Sequence, residues 1–372
     1  MKRNQRIMFN HQIGQIFFNN PTPRSLQDIE KGLVFELDIL EKISRINKLI
    51  YNLSDLIKKH ELECLMPLFK IFDAYYTLKF VIPDLKPLDI FLGADSNHKE
   101  ELAIKAYLEA LDFALSECEN YDFLAFNEKI NSLLNTNPLL PGGNIRTTLI
   151  AKNISWIPVY PEKIKSALDE LYVYGKKNFE SNVFIKAALI YYQMLEISPF
   201  LVGNHRQAGI ILATFFRKES VFPIYPISLS FYFYHKYQDY RNTLNKVRSQ
   251  EAYSEWIEFF LKGIETTLSY YLHVFRKIIA IKEKSETLLS EAQFSRTIKN
   301  NLKQILSFFS ERLIANIKDV CLTLNKTYPT VTSAVKLLEE MGIIVPINSN
   351  HRNRKYFYSE LFRAIFNDAT ID

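Results

Sequence analysis

The amino-acid sequence predicts a mainly α-helical protein. Glycine is scarce, at 10 of 372 residues, whereas an average protein has about 7%. Apolar residues recur at helical spacing over long stretches, as between Leu37 and Ile50, where they form one broad stripe. The length predicts two or three domains, and a hydrophobic content of 48% is enough to fill their cores.

In the first half of the chain, helical patterns come before a turn-rich segment. Residues 1–30 are polar and contain an Asn-Pro-Thr-Pro sequence, so we expect an extended arm. Helical patterns follow over 32–118 and 121–134. The segment 135–148 is rich in turn residues, and 156–163 (WIPVYPEK) is a short extended piece held by prolines. Together they predict a small β-hairpin.

The second half returns to helical periodicity and then changes character. A loop is predicted at 198–203, between two strongly apolar helical patterns. The polar residues 284–300 are expected to bridge to a separate C-terminal unit. The predicted helices of this half cover residues 163–176, 183–195, 204–217, 225–248 and 251–283.

The bulk composition excludes several classes of protein. A net charge of +5 is mild for this length and does not by itself indicate a polyanion partner. The three cysteines show no metal or redox spacing. No stretch approaches the ~18 apolar residues that span a membrane, and the N-terminus has no targeting segment. We therefore expect a cytoplasmic protein with no membrane partner. The sequence also lacks the GxxxxGK[ST], HExxH and GxSxG motifs.

Residues 197–209 read ISPFLVGNHRQAG and have the form of an anion-binding loop that leads into a helix. The N–H groups at the start of a helix carry partial positive charge. Gly203 permits close approach of the backbone, Asn204 is suited to capping the helix, and Arg206 is suited to a forked contact with a phosphate. An ordinary loop and cap, with Arg206 in an internal ion pair, explains the same residues. On these residues alone the ordinary loop is favoured.

The same stretch resembles the signature of the Fic family, H-P-F-x-D/E-G-N-G-R-x-x-R. Ser198 stands at the position of the family's catalytic His, and Val202 at that of its metal-binding acid. His205 replaces the second Gly, and Gly209 stands at the position of the second Arg. The residues that match the signature are Pro199, Phe200, Gly203, Asn204 and Arg206.

The resemblance extends over most of residues 70–370. The family carries P-G-x-x-R upstream of its signature, matched here by residues 141–146 with one extra residue. The resemblance implies an N-terminal helical domain (1–118), a Fic-like core (119–290) and a winged helix domain (297–372). It also implies a flap that clamps the target protein, formed by Trp156, Ile157, Pro158, Val159 and Tyr160.

Members of the Fic family transfer AMP from ATP to a protein hydroxyl, and the resemblance gives each signature position a role. Ser198 has no pKa near neutrality and cannot replace the general base. Val202 has no oxygen for Mg²⁺, and Gly209 has no charge for the terminal phosphate. We therefore expect no catalytic residue and no metal site. ATP and Mg²⁺ are cofactors only if the family activity is retained.

Four residues are the candidates for holding a nucleotide or another anion. The backbone at Gly203 and Asn204 would approach the ligand, and Arg206 would supply the charge. His205 is included because of its place in the first helical turn. We expect it to be a surface residue rather than a relocated base.

The segment 73–92 aligns with the S/T-x-x-x-E-G helix by which many Fic proteins inhibit themselves. Thr77 matches the Ser/Thr, but Val81 replaces the Glu and Ile82 replaces the Gly. In the family this Glu pairs with the second Arg, whose position holds Gly209 here. The resemblance therefore predicts a degenerate inhibitory helix beside a degenerate site.

Residues 314–366 have the pattern of a winged helix-turn-helix. Two short helices at 317–324 and 330–341 precede two strands around the basic tip at 350–354. Basic side chains suit phosphates and slightly favour DNA, whereas two glutamates at the end of the second helix oppose it. DNA and a protein partner are both left open. The candidate contact residues are Thr332, Ser333, Lys336, Arg352 and Arg354.

Three functions are consistent with the sequence. The favoured hypothesis is a Fic-like protein that lacks AMP transfer and acts as a binding or regulatory module. The alternatives are a protein adenylyltransferase, or another nucleotidyl- or phosphoryltransferase that uses ATP, and a DNA-binding regulator. The sequence does not identify the target protein or the DNA sequence. It also leaves the oligomeric state open, and a homodimer is one of the states considered.

Overall fold

The computed structural model describes most of the chain. In its first two segments the backbone alone is described. The described residues are 8–13, 16–21, 24–33, 37–92, 98–119, 122–135, 142–150, 157–176, 182–347 and 354–366.

Helices dominate these residues, as the sequence predicts. The N-terminal half contains β1 (Met8–Ile13), β2 (Ile16–Pro21), α1 (Leu26–Gly32), α2 (Leu37–Lys59), α3 (Met66–Lys79), α4 (Asp89–Leu92), α5 (His98–Glu117), α6 (Phe123–Leu134) and α7 (Ile164–Lys176). The next helices are α8 (Val183–Ile197), α9 (Asn204–Lys218), α10 (Leu229–His235), α11 (Tyr237–Gln250), α12 (Tyr253–Glu291) and α13 (Arg296–Arg312). The chain continues with β3 (Ile314–Asn316), α14 (Ile317–Leu324), α15 (Tyr328–Glu340), β4 (Val345–Pro346), β5 (Lys355–Phe357) and α16 (Ser359–Phe366).

The 39-residue helix α12 ties together elements that are far apart in sequence. It packs along α2. The buried Trp256 indole donates a hydrogen bond of 2.8 Å to the carbonyl of Ala188 in α8. The Tyr270 hydroxyl donates one of 2.8 Å to the carbonyl of Ile365 in α16. Because these large side chains bury their rings and still satisfy their polar ends, α12 fixes both α8 and the C-terminal helix.

The extended arm expected over residues 1–30 is wrong for the residues that the structure describes. β1 and β2 pair antiparallel, from Met8 opposite Pro21 to Ile13 opposite Ile16, and α1 begins at Leu26. An extended backbone leaves its N–H and C=O groups unpaired, and pairing with the next extended segment satisfies them.

The prediction of a single inhibitory helix over 73–92 is also wrong. α3 ends at Lys79, and α4 begins only at Asp89. Pro83 and Pro87 lie between them, and neither has an N–H with which to continue a helix. Val81, at the position of the family's Glu, therefore lies beyond the helix end and is 61% exposed.

The C-terminal part begins without the predicted bridge at 284–300. α12 continues to Glu291, and α13 starts at Arg296 after a short turn. α14 and α15 follow, and the three strands form an antiparallel sheet in the order β3-β5-β4. The Tyr358 hydroxyl, buried after β5, lies 2.9 Å from the Ser285 hydroxyl of α12. This part of the chain is therefore packed against the helical core.

We expect a buried carboxyl group in α3 to make the stability of the protein depend on pH. Burial raises the pKa of Asp73 to about 6, and a hydrogen bond of 2.6 Å from the Tyr107 hydroxyl offsets part of that increase. The folded state therefore holds this proton more tightly than the unfolded state. The stabilising effect is complete below pH ~4 and is lost as the pH rises through about 6.

Asp73→Asn should remove this pH dependence, because the amide keeps an acceptor for Tyr107 and cannot ionise. We expect the unfolding free energy of Asp73→Asn, measured relative to that of the wild type, to increase by about 2 kcal/mol between pH 4.5 and pH 7.5. Urea titrations at the two pH values measure it, with the exposed Asp169→Asn as the control. An advantage of Asp73→Asn that stays constant with pH would contradict the burial argument.

Candidate functional site

The loop between α8 and α9 begins with a serine that closes α8. Ser198 is completely buried and has a left-handed backbone with φ of 39°. Its hydroxyl donates to the carbonyl of Leu195 at 2.7 Å, and its N–H donates to that of Met194 at 3.0 Å. Both groups satisfy carbonyls at the helix end that would otherwise lack partners. The hydroxyl is thus a structural donor without access to solvent.

The side chain of Asn204 fastens the other end of the loop. Its Oδ1 accepts from the N–H of Phe200 at 3.0 Å, and its Nδ2 donates to the carbonyl of Phe200 at 2.6 Å. The helix cap expected from Asn204 is therefore wrong, because Asn204 is the first helical residue and its amide is buried in the loop. Gly203 takes the capping position with φ of 83°, a conformation that glycine adopts without strain.

Asn131 of α6 joins this loop to the upstream PGGNIR segment. Its Nδ2 donates to the carbonyl of Val202 at 3.0 Å, and its Oδ1 accepts from the N–H of Gly143 at 3.1 Å. A Cβ at Gly203 would lie 3.3 Å from that Nδ2, so the glycine leaves room for the bridge. Sequence analysis missed Asn131, because an asparagine inside an apolar helix carries no signal of its distant partners.

Arg146 is the second link between the upstream segment and the loop. It is almost completely buried, and burial lowers its pKa to about 10. Its Nε donates to the carbonyl of Ser198 at 2.8 Å, and its terminal nitrogens donate to the carbonyls of Ile197, Thr148 and Val159. The Arg146 guanidinium thus links the end of α8, the loop that contains Arg146 and the flap at Val159.

The predicted hairpin flap is wrong within the described residues, because neither 142–150 nor 157–160 contains a strand. The N–H of Val159 instead donates to the carbonyl of Glu196 at 3.1 Å. Prolines at 158 and 161 remove two of the N–H groups that a strand ladder would need. Pro158 and Val159 are buried, and Ile157 and Tyr160 are half-buried, whereas Trp156 lies outside the described residues.

Arg206 lies in the first turn of α9, and its position contradicts the ordinary ion pair considered for it. One terminal nitrogen donates to the carbonyl of Leu134 at the end of α6, at 3.2 Å. Burial lowers the pKa of Arg206. Among the described residues, no carboxylate forms a salt bridge with it. The guanidinium is therefore a partly desolvated cation at the start of a helix, where N–H groups also carry positive charge.

His205 was expected at the surface, and this prediction is wrong. Its ring lies between aromatic residues, with a centroid distance of 4.6 Å to Phe80, which follows α3. Its Nε2 is 3.3 Å from the Tyr191 hydroxyl, which in turn is 3.3 Å from that of Tyr240. The apolar faces of these rings favour burial of the imidazole, a preference that depends on residues far away in sequence.

Positions 202 and 209 of the chain are both only partly buried. A Cβ at Gly209 would meet no atom within 4 Å. Val202 is only partly buried, and its backbone rather than its side chain is held by Asn131. Within the part of the chain that the structure describes, no group of three or more His, Cys, Asp or Glu side chains could hold a metal ion.

The candidate contact face of α15 is only partly as expected. Ser333 and Lys336 are exposed, but the hydroxyl of Thr332 is buried, which corrects its predicted outward position. Lys336 lies 3.7 Å from Glu340, and Arg354 lies 3.2 Å from Glu339, so acids on the same helix neutralise two of the basic groups. Arg352 lies outside the described residues.

No helix in the described part of the chain is both long and apolar enough to cross a membrane. No profile of a known protein family matches the sequence.

Solved structures nevertheless resemble this one over long stretches. A Fic family protein from Desulfovibrio desulfuricans aligns with a TM-score of 0.57 at 13% identity, over 88% of this chain and 97% of the other. A Fic domain containing signaling protein from Bacteroides thetaiotaomicron aligns with a TM-score of 0.52 at 16% identity, over 62% of this chain and 98% of the other. These likenesses concern the arrangement of the helices, and they confirm the fold that the sequence motif predicts. The protein is therefore a Fic-fold protein.

Proposed function

We propose that this protein is a binding or regulatory module with a Fic fold and without AMP transfer. The observation that carries the proposal is the state of Ser198. A general base must reach the proton that it removes and must have a pKa near the working pH. The Ser198 hydroxyl instead donates to Leu195 from a completely buried position.

The same loop keeps the features needed to bind an anion. Asn204 and Asn131 hold the backbone at Gly203, where a left-handed glycine begins the helix. Arg206 adds a partly desolvated positive charge that no carboxylate in the described residues pairs with. A phosphate or another small anion would supply the missing negative charge. Binding is thus retained in this proposal, and the chemistry is lost.

Incubation with ATP labelled at the α-phosphate tests the loss of transfer. We expect no labelled protein above background, with the wild type and Arg206→Ala giving the same result, because both lack a base and a metal ligand. The labelled product is measured by gel autoradiography in the presence of Mg²⁺ and a cell extract that supplies target proteins. Labelling by the wild type and not by Arg206→Ala would establish an active transferase, the alternative function.

A reconstituted site provides the positive control for that assay. Ser198→His with Val202→Asp restores the base and the metal ligand, yet we expect it to stay inactive until Gly209→Arg is added to hold the terminal phosphate. A Cβ at Gly209 would meet no atom within 4 Å, so the backbone there admits a side chain. Circular dichroism checks that the triple variant folds, because position 198 is buried.

Anion binding is tested directly by calorimetry with ATP and with inorganic pyrophosphate. Arg206→Ala should weaken the binding of both ligands at least about tenfold, since it removes the charged contact. Arg276→Ala, which removes an exposed arginine from α12, should bind as the wild type does. Absence of binding to the wild type, or equal binding by the two variants, would refute the anion site.

DNA binding through the C-terminal part is a second candidate function, supported by the charge distribution. Residues 292–372 contain eleven Lys and Arg against seven Asp and Glu, so they carry most of the chain's net charge of +5. A helix-turn-helix arrangement followed by two paired strands suits a groove-binding module. The pairing of Arg354 with Glu339 opposes this candidate, because it leaves fewer cations for phosphates.

An electrophoretic mobility shift with random-sequence duplex DNA at ~0.15 M salt tests the second candidate. Arg352→Ala should reduce the dependence of binding on salt by about one phosphate contact. Arg354→Ala, the matched control, should change it less because Glu339 already pairs with that side chain. No complex even at ~0.05 M salt would rule out DNA as the partner.

A further inference from the structure

A pocket between α6, α7, α8 and α9 is not explained by the proposed function. Its volume is about 270 Å³. Its walls are mainly apolar and include Phe123, Tyr172, Ile190, Ile211 and Phe215. The rings of Phe123 and Tyr172 stack on each other with centroids 5.2 Å apart and an interplanar angle of 19°. Such a wall offers flat apolar surface to a ligand ring.

The pocket is separate from the loop at the start of α9. It is built from the later turns of α9, including Ile211 and Phe215, and from the first turns of α6, including Phe123. The loop contacts the opposite ends of these helices through Arg206 and Leu134. A ligand in the pocket would therefore not be the anion proposed for the loop.

The charged groups at the pocket give it a positive character. Lys176 and Lys218 are exposed, and the Lys176 ammonium lies 4.3 Å from the centroid of the Tyr172 ring. Among the described residues, neither lysine forms a salt bridge. Of the described residues that line the pocket, Glu219 is the one acid. It lies close to the buried Lys186, where it offsets part of the decrease in the pKa of Lys186 that burial causes. The negative charge of Glu219 is thus partly compensated by the positive charge of Lys186.

We propose that this pocket binds a small, flat aromatic anion, such as an aromatic carboxylate. The ring would lie against the Phe123–Tyr172 wall, and the carboxylate would face Lys176 and Lys218. The volume is just below the range of about 300–1,000 Å³ found for drug-sized ligands, which limits the ligand to a small ring system. The two lysines favour an anion over a neutral compound of the same shape.

Gly175 allows the pocket to be filled without disturbing the fold. It lines the pocket within α7, and a Cβ added there would meet no atom within 4 Å. Leucine is a better helix former than glycine by roughly 0.5–1 kcal/mol. Gly175→Leu should therefore occupy the space while leaving the thermal stability equal or higher.

Calorimetric titration with 2-naphthoate tests the proposal. We expect the wild type to bind this compound and Gly175→Leu to bind it at least tenfold more weakly. Gly32→Leu is the matched control, because Gly32 also lies in a helix with open space around its Cβ, outside the pocket. It should bind as the wild type does.

The charge requirement is tested with 2-naphthamide, the neutral analogue. Lys176→Gln should lower the affinity for 2-naphthoate several-fold and leave that for 2-naphthamide unchanged. Equal binding of 2-naphthoate by Gly175→Leu and the wild type would overturn the location of the site, as would a wild type that does not bind. Equal effects of Lys176→Gln on the two compounds would overturn the anionic class of ligand.

Discussion

The arrangement of the candidate site depends on one buried guanidinium, that of Arg146. Backbone carbonyls from three places reach it: the end of α8, which is distant in sequence, the segment at Val159, and Thr148, which lies just after Arg146. The last carbonyls of a helix have no partner within it and carry partial negative charge. A desolvated cation satisfies them more strongly than water would. The contact therefore adds to the backbone bonds by which Val159 and Ser198 are already held, from the Val159 N–H to Glu196 and from the Ser198 N–H to Met194.

The loop that follows is fixed by the amide groups of two asparagine side chains rather than by residues 202 and 209. Asn204 holds Phe200, and Asn131 connects Val202 to Gly143. Residue 209 is a glycine and has no side chain, and at 202 the backbone carbonyl rather than the side chain accepts the hydrogen bond from Asn131. A change of side chain at these two positions is therefore compatible with an unchanged backbone. At 198 the serine still contributes, as a helix-closing donor.

Three arginines of the molecule differ in the partners of their guanidinium groups. Arg146 donates hydrogen bonds to four backbone carbonyls. Among the described residues, Arg206 has only one carbonyl partner. In the C-terminal part, Arg354 is paired with Glu339 on the helix that would face a partner. Because a cation without a carboxylate partner attracts anions more strongly than a paired one, the start of α9 is the better candidate for the proposed anion site.

The sequence by itself determined the helical class, the start of α8, both limits of α14 and the start of α9 at Asn204. These properties follow from local periodicity and from the preferences of single residues. Only the tertiary structure decided that His205 lies among aromatic rings, that α3 stops at Lys79, that the flap pairs with α8 and that Asn131 bridges two loops. Burial and hydrogen-bond partners come from segments distant in the chain, and a local pattern carries no record of them.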